Sequence, residues 1–284
     1  MTFSTGTATA SPRTAAGAER VSRPRRGPAA GLAVQLILLT VITGTAGLTA
    51  AGWLAGAAYG IVLCGLVALG LHRTGMTAMG PANLVTFARA LMVGGVTAMV
   101  VSSFERPVHQ VALVTLVGVA LALDGVDGQV ARRTGSTTKL GARFDMEVDA
   151  FLILVLSVFI AGTFGWWTIA IGAYRYVFIA AGWARPWLSG SLPPRFSRKV
   201  VAAVQGVVLV VATANVLPQP VALIAVISAL ASLTWSFGRD IRWLYRSEQL
   251  RGAAAGRTHL PIVAAHRLAV LDRQPLHCEV ASAG

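Results

Sequence analysis

Residues 27–71 contain no Asp, Glu, Lys or Arg. At about 1.5 Å per residue, this run would form about 67 Å of helix, enough to cross a hydrocarbon core of about 30 Å twice. The whole chain is 55% hydrophobic and only 12% charged, with a mean hydropathy of +0.67. These values exclude an ordinary soluble domain and predict a polytopic membrane protein.

Further apolar runs follow the first one, and each is long enough for a membrane helix. With the first run divided near 50–53, they predict an all-α bundle of eight crossings. The first two helices hold no acidic or basic residue and are interpreted as an accessory pair. A cleaved signal sequence over 20–50 is the alternative, although the apolar run continues directly into a second one. The later runs lie at about 84–104, 109–132, 140–163, 166–186, 199–217 and 220–237.

The Lys and Arg residues predict the orientation of these helices. If the N-terminus lies inside, all of them except Arg106 and Arg175 fall on one face, which then includes Arg89. The positive-inside rule makes that face cytoplasmic. The net charge of +13 then reflects topology and attraction to anionic lipids. No basic stripe interleaved with aromatic residues indicates nucleic-acid binding.

Composition also predicts how the chain is divided. The N-terminal segment is rich in Thr, Ser, Ala, Pro and Arg, which is typical of disorder, and the chain beyond the last apolar run is expected to be a cytoplasmic tail. The predicted parts are a disordered basic segment over 1–30, accessory helices over 31–71, a six-helix membrane domain over 72–247 with an interfacial segment at 72–83, and the tail over 248–284.

Five of the eleven acidic residues lie between positions 124 and 149, within segments that otherwise have the composition of membrane helices. A carboxylate at the centre of a lipid-facing helix costs about 2.5–3.5 kcal/mol. Four of them on two neighbouring helices would cost on the order of 10 kcal/mol if nothing compensated. The sequence therefore requires a cationic partner among these carboxylates.

Acidic residues and three small residues share one face on each of two helices. The spacing of this set is i, i+3, i+4, i+7 on the first helix and i, i+4, i+8 on the second. A short polar turn joins the helices, so they must pack as antiparallel neighbours and form a cleft that opens to the cytoplasm. The residues on the two faces are Asp124, Asp127, Gly128 and Ala131, then Gly141, Asp145 and Asp149.

Three features near this cleft have more than one interpretation. Glu147 lies about 200° around the helix from Asp145 and needs a different partner. The small residues on the two faces allow either close helix packing or room for a flat ligand. Arg132 is either an anion ligand at the cleft mouth or an ordinary interfacial arginine.

The pattern Asp-x2-Asp-Gly-x2-Ala-Arg-x8-Gly-x3-Asp-x3-Asp is complete over 124–149. It resembles the signature of the CDP-alcohol phosphatidyltransferases, membrane enzymes of phospholipid biosynthesis. The resemblance extends over about 81–240 and implies the family's six-helix core. Residues 81–89 resemble the opening of its first core helix, beside the nucleotide site.

The resemblance also implies a reaction and its site residues. A phosphatidyl group would pass from CDP-diacylglycerol to a polar alcohol, with release of CMP, in a homodimeric membrane protein. Asp124, Asp127 and Asp145 would bind two divalent ions, and Asp149 would be the general base and a further ligand. Hard oxygen ligands favour Mg²⁺ or Mn²⁺ over Zn²⁺. The CDP-lipid contacts would be Asn83, Thr86, Gly128, Ala131, Arg132, Thr138 and Gly141.

The acceptor pocket is less defined by the sequence. Arg175 lies within a membrane helix and is a functional candidate for that reason, but it is equally suited to pairing with Glu147. Arg198 and Lys199, with Arg195, either bind a phosphorylated acceptor or set the topology. Because arginine favours phosphate recognition, we expect a phosphorylated polyol such as inositol phosphate or glycerol phosphate.

A cation-coupled or proton-coupled transporter is the alternative function, because carboxylates within membrane helices also mark ion pathways. Two features of the sequence disfavour it. The acidic residues belong to one helix pair that opens to one side, and no paired broken helices indicate an inverted repeat.

Overall fold

The computed structural model describes residues 26–74, 81–134, 139–190 and 196–271, with side chains left out mainly at 126–134, 139–140 and 251–271. The described chain is almost entirely helical and contains no strand. The prediction of an all-α membrane bundle with two helices ahead of a six-helix core is confirmed. The helices are α1 Arg26–Thr45, α2 Ala50–Thr74, α3 Pro81–Ser102, α4 Gln110–Thr134, α5 Lys139–Phe164, α6 Ile169–Ala184, α7 Phe196–Ala214 and α8 Gln219–Leu271.

The eight helices differ in the length of their apolar parts. Five of them contain a full-length apolar span. Within the part of the chain whose side chains are described, the apolar stretches of α4 and α7 are Gln110–Gly125 and Val200–Ala214, and α6 has 16 residues. The full-length apolar spans are Gly27–Thr45, Ala50–Arg73, Asn83–Ser102, Gly141–Phe164 and Gln219–Leu250.

Two boundaries differ from their predicted positions. The first apolar run breaks before Ala50 rather than within 50–53, because Gly47 adopts a φ of 67°, a left-handed conformation that suits glycine. At the other end of the chain, α8 continues for 53 residues to Leu271. The predicted boundary at 247–248 therefore falls within a continuous helix.

Two other predicted segments lie partly outside the described residues. The segment 72–83 contains the end of α2 and the start of α3, while 75–80 are not described. Of the N-terminal segment 1–30, only the start of α1 is described. Their predicted interfacial and disordered character stays a prediction.

α3 is the central helix of the bundle. It packs against α1, α2, α4 and α5, and 67% of its apolar span is buried inside the protein, compared with 28% for α1 and 22% for α8. α5 packs against α3, α6 and α7, and α7 in turn packs against α4 and α8. Side chains carried by α3 are therefore held among several helices, which suits it to carry a buried charged group.

α1 and α2 form an antiparallel pair, the α1–α2 hairpin, which packs closely against α3. Gly52, Gly56 and Gly60 follow one another at four-residue spacing along α2. Added Cβ atoms at Gly56 and Gly60 would approach Leu39 and Gln35 of α1 to 2.6 Å. Small residues at this spacing allow membrane helices to approach each other closely. The accessory pair is therefore packed onto the core over its length.

Candidate active site

Three carboxylates converge between α4 and α5. Asp124 lies on α4, and Asp145 and Asp149 lie one turn apart on α5. One oxygen atom from each carboxylate lies within 4.8 Å of the others. α4 and α5 each pack against α3, which places their acidic residues on either side of one cleft; the predicted close packing of α4 on α5 is not seen among the described residues. We call these three residues the carboxylate cluster.

Arg89 of α3 lies within the carboxylate cluster, and its side chain is only 1% exposed. Its guanidinium donates to Oδ1 of Asp124 and to Oδ1 of Asp145, and its Nη1 lies 3.1 Å from Oδ1 of Asp149. The cationic partner required by the sequence is thus partly supplied by the chain itself. The pattern of basic residues in the sequence places Arg89 only among the charges of one face, whereas the structure shows its side chain buried within the bundle.

The sequence alone carries a signal for the role of Arg89. Arg89 is the ninth residue of α3, about 12 Å along the helix at 1.5 Å per residue. An ionisable residue at such a position within a membrane helix is a functional candidate by default, as Arg175 also is.

The donor set of the carboxylate cluster fits a divalent metal ion. When all three carboxylates are ionised, Arg89 balances one negative charge and two remain. The cluster offers only carboxylate oxygens, the hard ligands that Mg²⁺, Mn²⁺ and Ca²⁺ prefer. Both the charge and the ligand chemistry are therefore those of a site for a hard divalent cation.

The carboxylate cluster and Arg89 form the polar end of a cleft of about 620 Å³. The walls of the cleft are apolar and come from α4, α5 and α7. α5 contributes Leu152, Ile153 and Leu156, and α7 contributes Ala202 and Gly206. A molecule with a charged head and an apolar tail matches this arrangement.

Several predicted contacts on α4 lie where side chains are not described. The helix itself continues past Asp124 to Thr134. Asp127 therefore follows Asp124 by one helical turn, but the direction of its side chain is not described. The surroundings of Gly128, Ala131 and Arg132 on α4 are likewise not described. Nor is the side chain of Lys199 on α7. Thr138 and Arg195 lie outside the described residues altogether.

The other predicted CDP-lipid contacts lie at the end of the bundle where α3 and α5 begin. Asn83, Thr86 and Arg89 follow one another at three-residue spacing and so share one face of α3. Thr86 is 5% exposed. Gly141 is the third residue of α5, one turn before Asp145. These positions precede Arg89 and Asp145 by one to two turns, and none of them is among the described residues that line the cleft.

Arg175 forms an ion pair with Glu147 and does not line the cleft. Its guanidinium donates to both carboxylate oxygens of Glu147, with Nε 3.3 Å from Oε2. Because Glu147 lies about 200° around α5 from Asp145, this pair is on the other side of the helix. Of the two interpretations of Arg175, the structure shows the one in which it is the partner of Glu147.

Arg198 forms an ion pair with Asp240 that the sequence did not predict. Nε of Arg198 lies 3.3 Å from Oδ2 of Asp240, whose side chain is only 7% exposed. Arg198 precedes the cleft-lining Ala202 by four residues on α7, so both lie on one face. Arg198 is therefore located near the cleft mouth with part of its charge already balanced.

Comparisons with known proteins place most of the bundle in one family. The sequence profile described as CDP-alcohol phosphatidyltransferase matches residues 79–235, which begin just before α3 and end within α8. The human protein ethanolaminephosphotransferase 1 is 48% identical over 52 residues, which cover 16% of this chain and 13% of the human protein. No solved structure gives a significant match.

Proposed function

The chain belongs to the CDP-alcohol phosphatidyltransferase family, and we propose that it transfers a phosphatidyl group from CDP-diacylglycerol to a polar alcohol, releasing CMP. One observation carries this proposal: the carboxylate cluster and buried Arg89 lie at the polar end of a cleft with apolar walls. Such a cleft accommodates a diphosphate at one end and acyl chains at the other. The pattern of aspartates over 124–149 is the family signature in complete form.

The reaction is a displacement at phosphorus. The oxygen of the acceptor hydroxyl bonds to the phosphorus nearer the lipid, and the bond from that phosphorus to the CMP oxygen breaks. The hydroxyl proton passes to the carboxylate of Asp149, and the electron pair of the broken bond leaves with CMP. A general base positioned within reach of the hydroxyl contributes about 10²–10⁴-fold to such a step.

Two Mg²⁺ or Mn²⁺ ions, when bound, would neutralise the charge that develops on the phosphate oxygens. Asp124, Asp127 and Asp145 would hold them, with Asp149 as a shared ligand. Arg89 would keep the carboxylates of two helices in register and bring a fixed positive charge next to the diphosphate. Because this cation is already in place and buried, it needs little reorganisation during the reaction.

The nucleotide half of the donor would bind at the cleft mouth. Thr86 and Asn83 of α3 and Gly141 of α5, which precede Arg89 and Asp145 by one to two turns, are proposed as its contacts. Gly128, Ala131, Arg132 and Thr138 are proposed as further contacts from their places in the family signature. Small residues there would allow the cytidine ring and the diphosphate to approach the helix backbones.

The apolar part of the cleft would hold an acyl chain of the donor. Leu152 and Leu156 of α5 and Ala202 and Gly206 of α7 lie along it. The small residues of α7 leave the cleft open at this level. The reacting phosphorus is thereby located at the boundary between the polar cluster and the apolar wall.

We propose a phosphorylated polyol, such as inositol phosphate or glycerol phosphate, as the acceptor. Arg198 near the cleft mouth supports this, because arginine binds phosphate well, and Lys199 is the next residue on α7. Arg175 is less suited to the role, because its pair with Glu147 lies on the side of α5 away from the carboxylate cluster. The protein is proposed to act as a homodimer in the cell membrane, with its site facing the cytoplasm.

A second donor class is supported by the match to an ethanolaminephosphotransferase. In that case the CDP-linked alcohol would be a small head group, and a lipid would be the acceptor. The same carboxylate cluster would serve, since the diphosphate and the CMP leaving group are unchanged. The two classes differ in which substrate carries the acyl chains, the CDP-linked donor in the first and the acceptor in the second.

The test is to incubate the purified protein with Mg²⁺ or Mn²⁺ and each donor in turn, measuring CMP and identifying the lipid product. CDP-diacylglycerol is offered with a panel of alcohols, and CDP-ethanolamine is offered with diacylglycerol. We expect metal-dependent CMP release from CDP-diacylglycerol with a phosphorylated polyol, abolished by chelation. Release only from CDP-ethanolamine would establish the second donor class, and cation flux into liposomes without CMP release would establish a transporter.

A further inference from the structure

Tyr59 of α2 contacts the helix that carries two of the three clustered carboxylates. Its ring stacks on that of Phe151 of α5, with centroids 5.2 Å apart and planes inclined by 26°. Phe151 follows Asp149 by two residues. A side chain from the α1–α2 hairpin, outside the matched region 79–235, thus packs against a side chain of α5 two residues from Asp149.

Tyr59 also packs against α3, the helix that carries Arg89. An added Cβ at Gly94 would lie 2.6 Å from Cδ1 of Tyr59 and 2.6 Å from Nε2 of Gln35. Gly94 follows Arg89 by five residues on α3. The absence of a side chain at Gly94 therefore lets the hairpin insert two large side chains against α3 close to the site.

The hairpin that carries Tyr59 is held in place at two further levels. Gln35 of α1 is completely buried, and its side-chain amide donates to the carbonyl of Gly56 in α2 at 3.4 Å. At the end of the hairpin, the backbone N–H of Thr49 donates to Oγ of Ser102, the last residue of α3, at 3.1 Å. The hairpin that carries Tyr59 is therefore held together by the bond of Gln35 and is attached to the end of α3 through Ser102.

From these contacts we propose that the α1–α2 hairpin is a positioning element of the catalytic site. Tyr59 is its positioning residue: α3 and α5 pack directly on each other, and Tyr59 contacts both and stabilises their relative position. The inference rests on the proposed function for its catalytic meaning. The geometric part does not, because Tyr59 joins the helix of Arg89 to the helix of Asp145 and Asp149 whatever the reaction is.

The separation of these two helices matters because the site is assembled across them. Arg89 reaches Asp145 and Asp149 only if α3 and α5 stay at their present distance. Functional constellations need their groups held within about 0.5 Å of the productive arrangement. The contacts of Tyr59 with Phe151 and Gly94 lie two residues from Asp149 and five residues from Arg89, so they can hold the two helices at this distance.

The test compares three variants of the full-length protein. Tyr59→Phe keeps the ring, and Tyr59→Leu removes the stack. Tyr174→Leu is the matched control, because Tyr174 packs on Phe237 with ring centroids 5.3 Å apart, in a contact between α6 and α8. All three are examined in a Cys64→Ser, Cys278→Ser background, so that spin labels can be placed at chosen positions.

Two measurements are made on each variant. Double electron–electron resonance between labels at exposed Leu84 of α3 and Met146 of α5 reports the separation of the two helices. Titration of free Mn²⁺ by electron paramagnetic resonance reports metal affinity. We expect Tyr59→Leu to broaden the distance distribution and weaken Mn²⁺ binding about tenfold, a size typical of residues that support metal ligands indirectly. Tyr59→Phe and Tyr174→Leu should match the parent protein in both.

Three results would overturn the inference. One is a distance distribution in Tyr59→Leu equal to that of the parent. Another is an equal change in Tyr174→Leu, which would indicate general loosening of the bundle. The third is an effect of Tyr59→Phe as large as that of Tyr59→Leu, which would assign the role to the hydroxyl. A parent protein that releases no CMP would contradict the proposed function, while the distance measurement would still decide the role of Tyr59.

Discussion

Nη1 of Arg89 lies 3.1 Å from Oδ1 of Asp149, and the same guanidinium also pairs with Asp124 and Asp145. One buried cation thus joins the proposed general base to the proposed metal ligands, across three helices. A charge balanced in this way is far less costly within a membrane bundle than three isolated carboxylates. The remaining negative charge is what a divalent ion would neutralise.

Replacing Arg89 should disable the site more severely than replacing any exposed arginine. Arg89 is buried but its three carboxylate partners are 37–45% exposed, so we take the lower end of the about 2–5 kcal/mol that losing one partner of a charge pair costs. About 2 kcal/mol corresponds to about 30-fold in rate if it is expressed in the transition state. We expect Arg89→Ala to lose CMP release by that factor. Arg89→Lys should recover part of it, since an ammonium keeps the charge but lacks the fork that reaches several carboxylates.

Arg246→Ala is the control for this prediction, because Arg246 is exposed on α8. It should release CMP at the parental rate, measured at saturating donor and metal. Parental activity in Arg89→Ala would show that the buried guanidinium is dispensable and that metal ions alone organise the carboxylate cluster.

Asp149→Asn should remove the proton acceptor while preserving the shape of the side chain. A general base contributes about 10²–10⁴-fold, so single-turnover CMP formation should fall by a factor in that range. Asp145→Asn provides the comparison on the same face of α5. If Asp145 is a metal ligand and not the base, its loss should be partly rescued by higher Mn²⁺ concentration, whereas that of Asp149→Asn should not.

Much of the bundle was predictable because long apolar runs in a sequence indicate membrane helices. The predicted runs at 109–132 and 140–163 differ from α4 and α5 by at most two residues at each end. Helical spacing also predicted which acidic residues share a face, and Asp124, Asp145 and Asp149 do converge. Periodicity describes such faces well, but α4 and α5 are brought together through α3, against which both pack.

The contributions of more distant helices were not predictable in the same way. Arg89 lies 35 residues before Asp124 and 56 before Asp145, and no local spacing relates α3 to those positions. The Tyr59 stack on Phe151 and the Arg198 pair with Asp240 likewise depend on which helices become neighbours. Local patterns indicate the faces of helices, whereas tertiary packing selects the partners.

The pair of Arg175 and Glu147 should contribute to stability and little to catalysis. Both side chains are partly exposed, at 28% and 49%, so the pair is expected to be worth on the order of 0.5–1 kcal/mol. Arg175→Met and Glu147→Gln should each lower the thermal midpoint of the purified protein, and the double variant should lose less than their sum. The KM for the acceptor should stay unchanged, and a selective rise in that KM for Arg175→Met would instead assign Arg175 to acceptor binding.

Enlarging Gly206 should change which donors the protein accepts. An added Cβ there would lie 3.9 Å from Leu121 across the cleft, so a methyl group fits but a larger side chain enters the apolar part of the cleft. We expect Gly206→Leu to raise the KM for long-chain CDP-diacylglycerol about tenfold. The leucine side chain would exclude one or two methylene groups of the acyl chain from the cleft. A short-chain donor should be used at the parental KM.

Gly118→Leu on α4 is the matched control, since an added Cβ there meets no atom within 4 Å among the described residues. Equal KM values for both donors in Gly206→Leu would mean that the acyl chains leave the site by another route.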